Sequence, residues 1–163
     1  MIIEVFKMKQ QIKLLKVALI AGVALILFFA TMVAAKLFSG ATLKMGLSIT
    51  LFAAAIVLGS LLVILIAFWL NQLLNIIQKQ QVFSQSALPI VAKIKRTIFL
   101  IGFDLIGILP QVYQNAQNED APGLILIGLG LVFLPFAVGI FATILEQLLI
   151  QAVTIKKEND LTI

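Results

Sequence analysis

The segment from Met45 to Leu70 contains no charged residue, and it is too long and too apolar for a small water-soluble domain. A helix needs roughly 20 apolar residues to cross about 30 Å of hydrocarbon. Because lipid offers no hydrogen bonds, only helices and closed barrels satisfy every backbone group there. The apolar residues form continuous runs and do not alternate with polar ones, which favours a helix over a barrel strand. We therefore expect this segment to cross a membrane.

Three other segments have the same character, and we expect spans at about residues 17–37, 45–70, 97–113 and 123–145. The whole chain is 62% hydrophobic and only 12% charged. A soluble domain is closer to half apolar and a quarter charged. The sequence therefore predicts an all-α integral membrane four-helix bundle, built as a single transmembrane domain over residues 1–163.

The basic residues predict which ends of the helices face the cytoplasm. Two of the twelve, Lys36 and Lys44, lie between the first and second spans. The other ten lie before the first span, between the second and third spans, and after the fourth: Lys7, Lys9, Lys13, Lys16, Lys79, Lys93, Lys95, Arg96, Lys156 and Lys157. The segment 111–122 contains no basic residue but carries Glu119 and Asp120. Since positive charge is enriched on the cytoplasmic side of membrane proteins, we expect a plasma-membrane protein with both termini in the cytoplasm.

Two of the expected helices continue past the membrane on that side. After the second span, apolar residues recur at helical spacing at Leu73, Leu74 and Ile77. After the fourth span, a similar stripe is formed by Leu145, Leu148, Leu149 and Val153. Each continuation is a helix with an apolar face that needs a partner, so we expect cytoplasmic helix extensions.

The segment 87–96 is expected to be an interfacial helix that leads into the third span. Apolar residues such as Ile94 could face lipid while Lys93, Lys95 and Arg96 meet the headgroups. Such a helix would lie at the cytoplasmic surface of the bilayer.

Asp104 is the one ionisable residue well inside an expected span. An Asp at the centre of a membrane helix costs about 3 kcal/mol on the insertion scale, so it should face the bundle and not lipid. It could be a proton or cation site. It could equally form a structural hydrogen bond, for which Ser60, at comparable depth on the second span, is the candidate partner. Asp104 and Ser60 together are our candidate polar site.

The chain contains no cysteine and no histidine. These residues supply the commonest metal ligands and the usual general base near neutral pH. The acidic residues are scattered along the chain and form no pair at catalytic spacing. We therefore expect no enzymatic activity, no cofactor and no metal site.

Two short motifs carry a family resemblance. The turn Val82-Phe83-Ser84 with its basic helix, and the closing string from Lys157 to Ile163, resemble the YoaS-like family of uncharacterised bacterial membrane proteins. Members commonly accompany a small helix-turn-helix regulator of the Cro/CI type. The resemblance implies a membrane partner for a cytoplasmic DNA-binding protein, and it implies no catalytic residues.

Our first hypothesis is a non-enzymatic signalling or regulatory membrane protein that holds such a partner and does not itself bind nucleic acid. The candidate docking residues lie on the second-span extension and the C-terminal tail: Leu73, Leu74, Ile77, Glu158, Asp160 and Leu161. The alternative is a small transporter or channel subunit with Asp104 as its proton or cation site. Four spans would form a pathway only in a homo-oligomer.

Overall fold

The computed structural model describes residues 2–38, 46–78 and 85–161, with side chains for 10–35, 46–78 and 85–158. Within these ranges the chain is helical apart from short turns, which confirms the all-α class. The helices are α1 (Ile2–Phe38), α2 (Leu47–Gln78), α3 (Leu88–Leu105), α4 (Leu109–Asn118) and α5 (Gly123–Leu161), and a 3₁₀ turn (Ile106–Ile108) joins α3 to α4.

Within the described residues, three helices are long and apolar enough to cross a membrane. Their apolar parts are Gln10–Ala35 in α1, Leu47–Gln78 in α2 and Gly123–Glu158 in α5. They correspond to the first, second and fourth expected spans, and the described helices run past the expected bounds.

The third expected span is not one regular helix. It consists of α3, the 3₁₀ turn and α4. Pro110 explains the interruption, because it lacks an N–H and its ring conflicts with the carbonyl four residues earlier, that of Ile106. The N–H of Leu109 bonds that carbonyl in its place, at the shorter 3₁₀ spacing. A broken helix therefore stands where the sequence predicted a continuous one.

The helices pack around α3 and α5. α3 packs against α5 and α2, α4 packs against the same two helices, and α1 packs mainly against α2 at the edge of the bundle. Ala55 of α2, Ile108 of the 3₁₀ turn and Val132 of α5 form the buried cluster where these elements meet. Most large apolar side chains point outward, as expected where lipid and not water is the solvent.

Close contact between α3 and α5 depends on two glycines. A β-carbon placed on Gly102 of α3 would lie 2.9 Å from the Phe136 ring of α5. Conversely, a β-carbon placed on Gly139 of α5 would lie 2.9 Å from the Phe99 ring of α3. Each helix thus offers a gap for an aromatic ring of the other, and the two backbones approach closely.

The helix extensions expected after the second and fourth spans are present. α5 has 39 residues, which at 1.5 Å per residue span about 58 Å. That is nearly twice the hydrocarbon thickness of about 30 Å. α2 has 32 residues and is also longer than the bilayer requires. Both helices end on the side of the bundle where α3 begins, which we call the basic end because it carries Lys16, Lys93, Lys95 and Arg96.

The expected interfacial helix is the first half of α3 and is not a separate element. Ala87, just before it, is 0% exposed and Ile94 is 9% exposed. The expectation that Ile94 faces lipid is therefore wrong, because this part of α3 packs on the bundle. Lys93 and Arg96 remain exposed.

At the opposite end, a tight turn joins α4 to α5. The N–H of Ala121 donates to the carbonyl of Ala116 at 2.9 Å, and Asp120 adopts a positive φ of 48°. Asp tolerates this left-handed conformation better than most residues do. Glu119 and Asp120 are both exposed, as expected of solvated turn residues.

Candidate functional site

An ion pair joins α3 and α5 at the basic end. The ammonium of Lys95 donates to a carboxylate oxygen of Glu146. The two side chains are 28% and 14% exposed, so the pair is largely shielded by the bundle. It lies where the apolar part of each helix gives way to polar sequence.

A second contact at this level joins α3 to α2. The ammonium of Lys93 lies 4.4 Å from the centroid of the Trp69 ring. A cation over the face of an indole is attracted by the electron density of the ring. Trp69 is also a typical residue of a membrane–water boundary.

A third contact joins α1 to α2. The ammonium of Lys16 donates to the side-chain carbonyl of Asn75 at 2.8 Å and reaches that of Gln78 at 3.5 Å. Lys16, Trp69, Lys93, Lys95 and Glu146 together form what we call the polar layer. It ties α1, α2, α3 and α5 together at the basic end of the bundle.

Sequence reasoning did not find the partner of Glu146. A usable signal was present, because Glu146 and Lys95 each lie at the basic end of an expected span. Two opposite charges at the same depth of neighbouring antiparallel helices are natural partners.

Beyond the polar layer, α5 carries an exposed apolar face. Val153 is 7% exposed and turns toward the rest of the chain. Leu148 and Ile155 lie on the opposite face, seven positions apart, and are 56% and 59% exposed. We call these two residues the α5 face. The sequence placed Leu148 and Val153 on one apolar stripe, and this is wrong, because the structure puts them on opposite faces of α5. Neither residue of the α5 face was among the docking residues expected from the sequence.

The expected docking residues on α2 are less accessible. Leu74 is 6% exposed and is part of the packed interior, so it is not available to a partner here. Leu73 and Ile77 are half-buried and stay predictions.

The expected docking residues of the tail lie at the end of α5. Glu158 is exposed on the helix. The backbone of Asp160 and Leu161 continues that helix, whereas their side chains lie outside the described residues.

Asp104 faces the bundle, where it packs against α2. A β-carbon placed on Gly59 would lie 2.9 Å from the Oδ2 atom of Asp104, so the carboxyl group occupies the space that this glycine leaves open. The Oδ2 atom is buried and has no hydrogen-bond partner within the described part of the chain. A buried acceptor without a partner is uncommon and calls for an explanation.

The hydrogen bond expected between Ser60 and Asp104 is not formed. The hydroxyl of Ser60 donates to the carbonyl of Val57 at 2.6 Å, within its own helix. Ser60 instead lines a cavity of about 300 Å³ between α1, α2 and α3, together with Gly59, Ile101 and Leu105. The structure therefore places Ser60 near Asp104 along the bundle without linking the two side chains.

Residues 41–163 match the family described as "Protein of unknown function (DUF2975)". The chain belongs to the DUF2975 family. The match includes all of α2 to α5, the helices that form the centre of the DUF2975 bundle.

A curated relative agrees with this family. "Uncharacterized membrane protein YoaS" of Bacillus subtilis (strain 168) is 37% identical over 92 residues, which cover 56% of this chain and 58% of that protein. The YoaS-like resemblance expected from the two short motifs is thus confirmed, and the chain is a membrane protein. No solved structure matches it.

Proposed function

We propose that this DUF2975 protein is a non-enzymatic, four-span plasma-membrane protein that docks a cytoplasmic DNA-binding regulator of the helix-turn-helix type. The observation that carries the proposal is the α5 face, Leu148 and Ile155, which lies past the polar layer. Both termini are cytoplasmic in this proposal.

The length of α5 supports an aqueous setting for this face. If hydrocarbon begins near Gly123, roughly 20 helical residues reach the neighbourhood of Glu146. The ion pair of Glu146 with Lys95 then lies at the hydrocarbon boundary. Residues beyond Glu146 stand in water, where lipid cannot cover exposed leucine and isoleucine.

The third of the four crossings, in chain order, is supplied by α3, the 3₁₀ turn and α4. Lys95 at one end of this unit meets α5 at the polar layer, and Asn118 at the other end leads through a short turn to the start of α5. The unit therefore runs antiparallel to the membrane-spanning part of α5. The bias of basic residues toward the basic end assigns that end to the cytoplasm.

The chemistry of the α5 face fits a groove on a folded partner. Amphipathic helices commonly lay apolar residues spaced by seven positions into an apolar groove. Lys156 and Lys157 follow directly and are exposed, so acidic residues at the rim of the groove would complement them. Related proteins commonly accompany a Cro/CI-type regulator, as the family resemblance implies, and this makes such a regulator the first partner to test.

The test is co-expression of the tagged full-length chain with the Cro/CI-type regulator of its own genome. We expect the regulator to copurify with the wild-type membrane protein. Copurification should be lost in the double variant Leu148→Gln with Ile155→Gln, and kept in Gln151→Asn, an exposed polar change on the same stretch of α5. A regulator that stays bound to the double variant would refute the docking role of this face.

A small transporter or channel subunit is the second candidate function, and it is favoured by the Oδ2 atom of Asp104, which has no hydrogen-bond partner among the described residues. An intramembrane carboxyl group is a common coupling site for protons or cations. Reconstituted vesicles should then show a proton or sodium flux that Asp104→Asn abolishes. Flux that is unchanged in this variant, or no flux at all, would remove the candidate. A pathway would require a homo-oligomer, because the four spans of one chain are too few to enclose it.

A further inference from the structure

A groove between α1 and α2 is a candidate ligand site that differs from both proposals above. It has a volume of about 330 Å³, within the usual range for small-molecule sites. Its walls are apolar and include Ile20 and Val23 of α1, and Ile64 and Phe68 of α2.

One end of the groove is polar. Lys16 and Asn71 line it there, at the level of the polar layer. Val23 lies two helical turns further along α1, about 10 Å deeper toward the hydrocarbon. The groove therefore runs from the headgroup region into the apolar part of the membrane, which is the orientation of a lipid acyl chain.

Two hydrogen bonds position the ammonium group of Lys16, but they do not neutralise its positive charge. Both acceptors, on Asn75 and Gln78, are neutral amides. An ammonium group has three donors, so a third remains for a ligand. Lys13, one turn earlier on α1, is exposed and adds a second positive charge at the same end.

We propose that this groove binds an anionic phospholipid, with one acyl chain between α1 and α2 and the headgroup phosphate at Lys16. Basic pockets between membrane helices at the cytoplasmic face are suited to anionic headgroups. An anionic lipid fits this groove because a cation lies at the membrane boundary and an apolar channel leads from it toward the hydrocarbon. Such a lipid would also fill space between α2 and the helix at the edge of the bundle.

Native mass spectrometry of the full-length chain in mild detergent tests the proposal. Phosphatidylglycerol and phosphatidylcholine with identical acyl chains are added in turn, in the absence of any regulator. We expect phosphatidylglycerol to be retained about fivefold better, which corresponds to about 1 kcal/mol for one basic residue near an anionic headgroup. Equal retention of the two lipids would overturn the proposal.

Two substitutions locate the site. Lys16→Gln should abolish the preference for phosphatidylglycerol and Lys16→Arg should keep it, while the matched control Lys157→Gln, at the exposed end of α5, should leave it unchanged. Val23→Trp should reduce retention of both lipids by filling the groove. Persistence of the preference in Lys16→Gln, or of full retention in Val23→Trp, would show that lipid binds elsewhere and refute the site.

Discussion

Lys95 of α3 and Glu146 of α5 form an ion pair whose side chains are only 28% and 14% exposed. The pair fixes how far α3 and α5 slide past each other, because their remaining contacts are apolar and less directional. The same two helices contact each other through Gly102 and Gly139, deeper in the bundle. The ion pair and the close packing at the two glycines therefore fix the same position of α3 relative to α5 along the helix axes.

Breaking this pair should destabilise the bundle. Removing one partner of a fully buried pair costs about 3–5 kcal/mol, whereas an exposed pair contributes at most about 1 kcal/mol. With side chains 28% and 14% exposed, Glu146→Gln should cost about 1–2 kcal/mol and lower the unfolding temperature in detergent. The exchange Lys95→Glu with Glu146→Lys should recover most of the loss. Control variants of Glu119, exposed at the opposite end, should unfold as the wild type does.

The glycine gaps between α3 and α5 make a second prediction. Gly102→Ala should destabilise the protein by about 1–3 kcal/mol, because its β-carbon would meet the Phe136 ring at 2.9 Å. Gly130→Ala is the matched control on α5, since nothing lies within 4 Å of its β-carbon position. Combining Gly102→Ala with Phe136→Leu should be less harmful than the sum of the two changes. Additive losses in unfolding free energy would contradict the contact.

A third prediction concerns the space that Gly59 leaves for Asp104. Gly59→Ala should displace the carboxyl group and destabilise the bundle by about 1–3 kcal/mol. Gly22→Ala, with nothing within 4 Å, should be neutral or stabilising by up to about 1 kcal/mol. In the background Asp104→Ala the cost of Gly59→Ala should largely vanish. If that cost is the same in both backgrounds, the carboxyl group is not what fills the gap.

The contact between Lys93 and Trp69 can be followed by fluorescence, because the chain has a single tryptophan. Lys93 lies 4.4 Å from the ring centroid and shields one face of the ring. Lys93→Gln should therefore increase the quenching of Trp69 by acrylamide, a neutral quencher that does not respond to the lost charge, while stability falls by only about 0.5–1 kcal/mol. Arg96→Gln, an exposed change on the same helix, is the control. Identical quenching in wild type and Lys93→Gln would argue against the contact.

The helical class and the approximate positions of the first, second and fourth spans could be read from the sequence, because they depend on local properties. Whether an uncharged run such as 45–70 can cross a bilayer depends only on its own length and composition. The break in the third span was harder to predict, although Pro110 was visible. A proline is tolerated in the first turn of a helix and disruptive in its interior, and which case applies depends on where the helix begins.

The side-chain partners could not be read from the sequence, because they depend on how the helices are placed. Glu146 and Lys95 lie far apart in the chain and meet only once α3 packs on α5. For Ser60 the sequence suggested Asp104, but a serine inside a helix has a closer acceptor in the carbonyl three residues earlier. Helix packing also decides which apolar residues are accessible. It buries Leu74 of α2 and leaves Leu148 of α5 exposed.

The number of membrane crossings can be tested by cysteine labelling, because the sequence contains no native cysteine that would react. Single cysteines at Gln85, Glu119 and Lys157, all exposed, can be probed with a membrane-impermeant maleimide. If the unit from α3 to α4 crosses the bilayer, Glu119→Cys should react in intact cells. Gln85→Cys and Lys157→Cys should react only after permeabilisation.

A three-span chain would give a different pattern. Without a crossing between Leu88 and Asn118, Gln85→Cys and Glu119→Cys would react from the same side and Lys157→Cys from the other. In that arrangement the C-terminal, polar end of α5 would lie on the opposite side of the membrane from the start of α3. The ion pair of Lys95 with Glu146 joins those two ends at one level, and it therefore favours the four-span pattern.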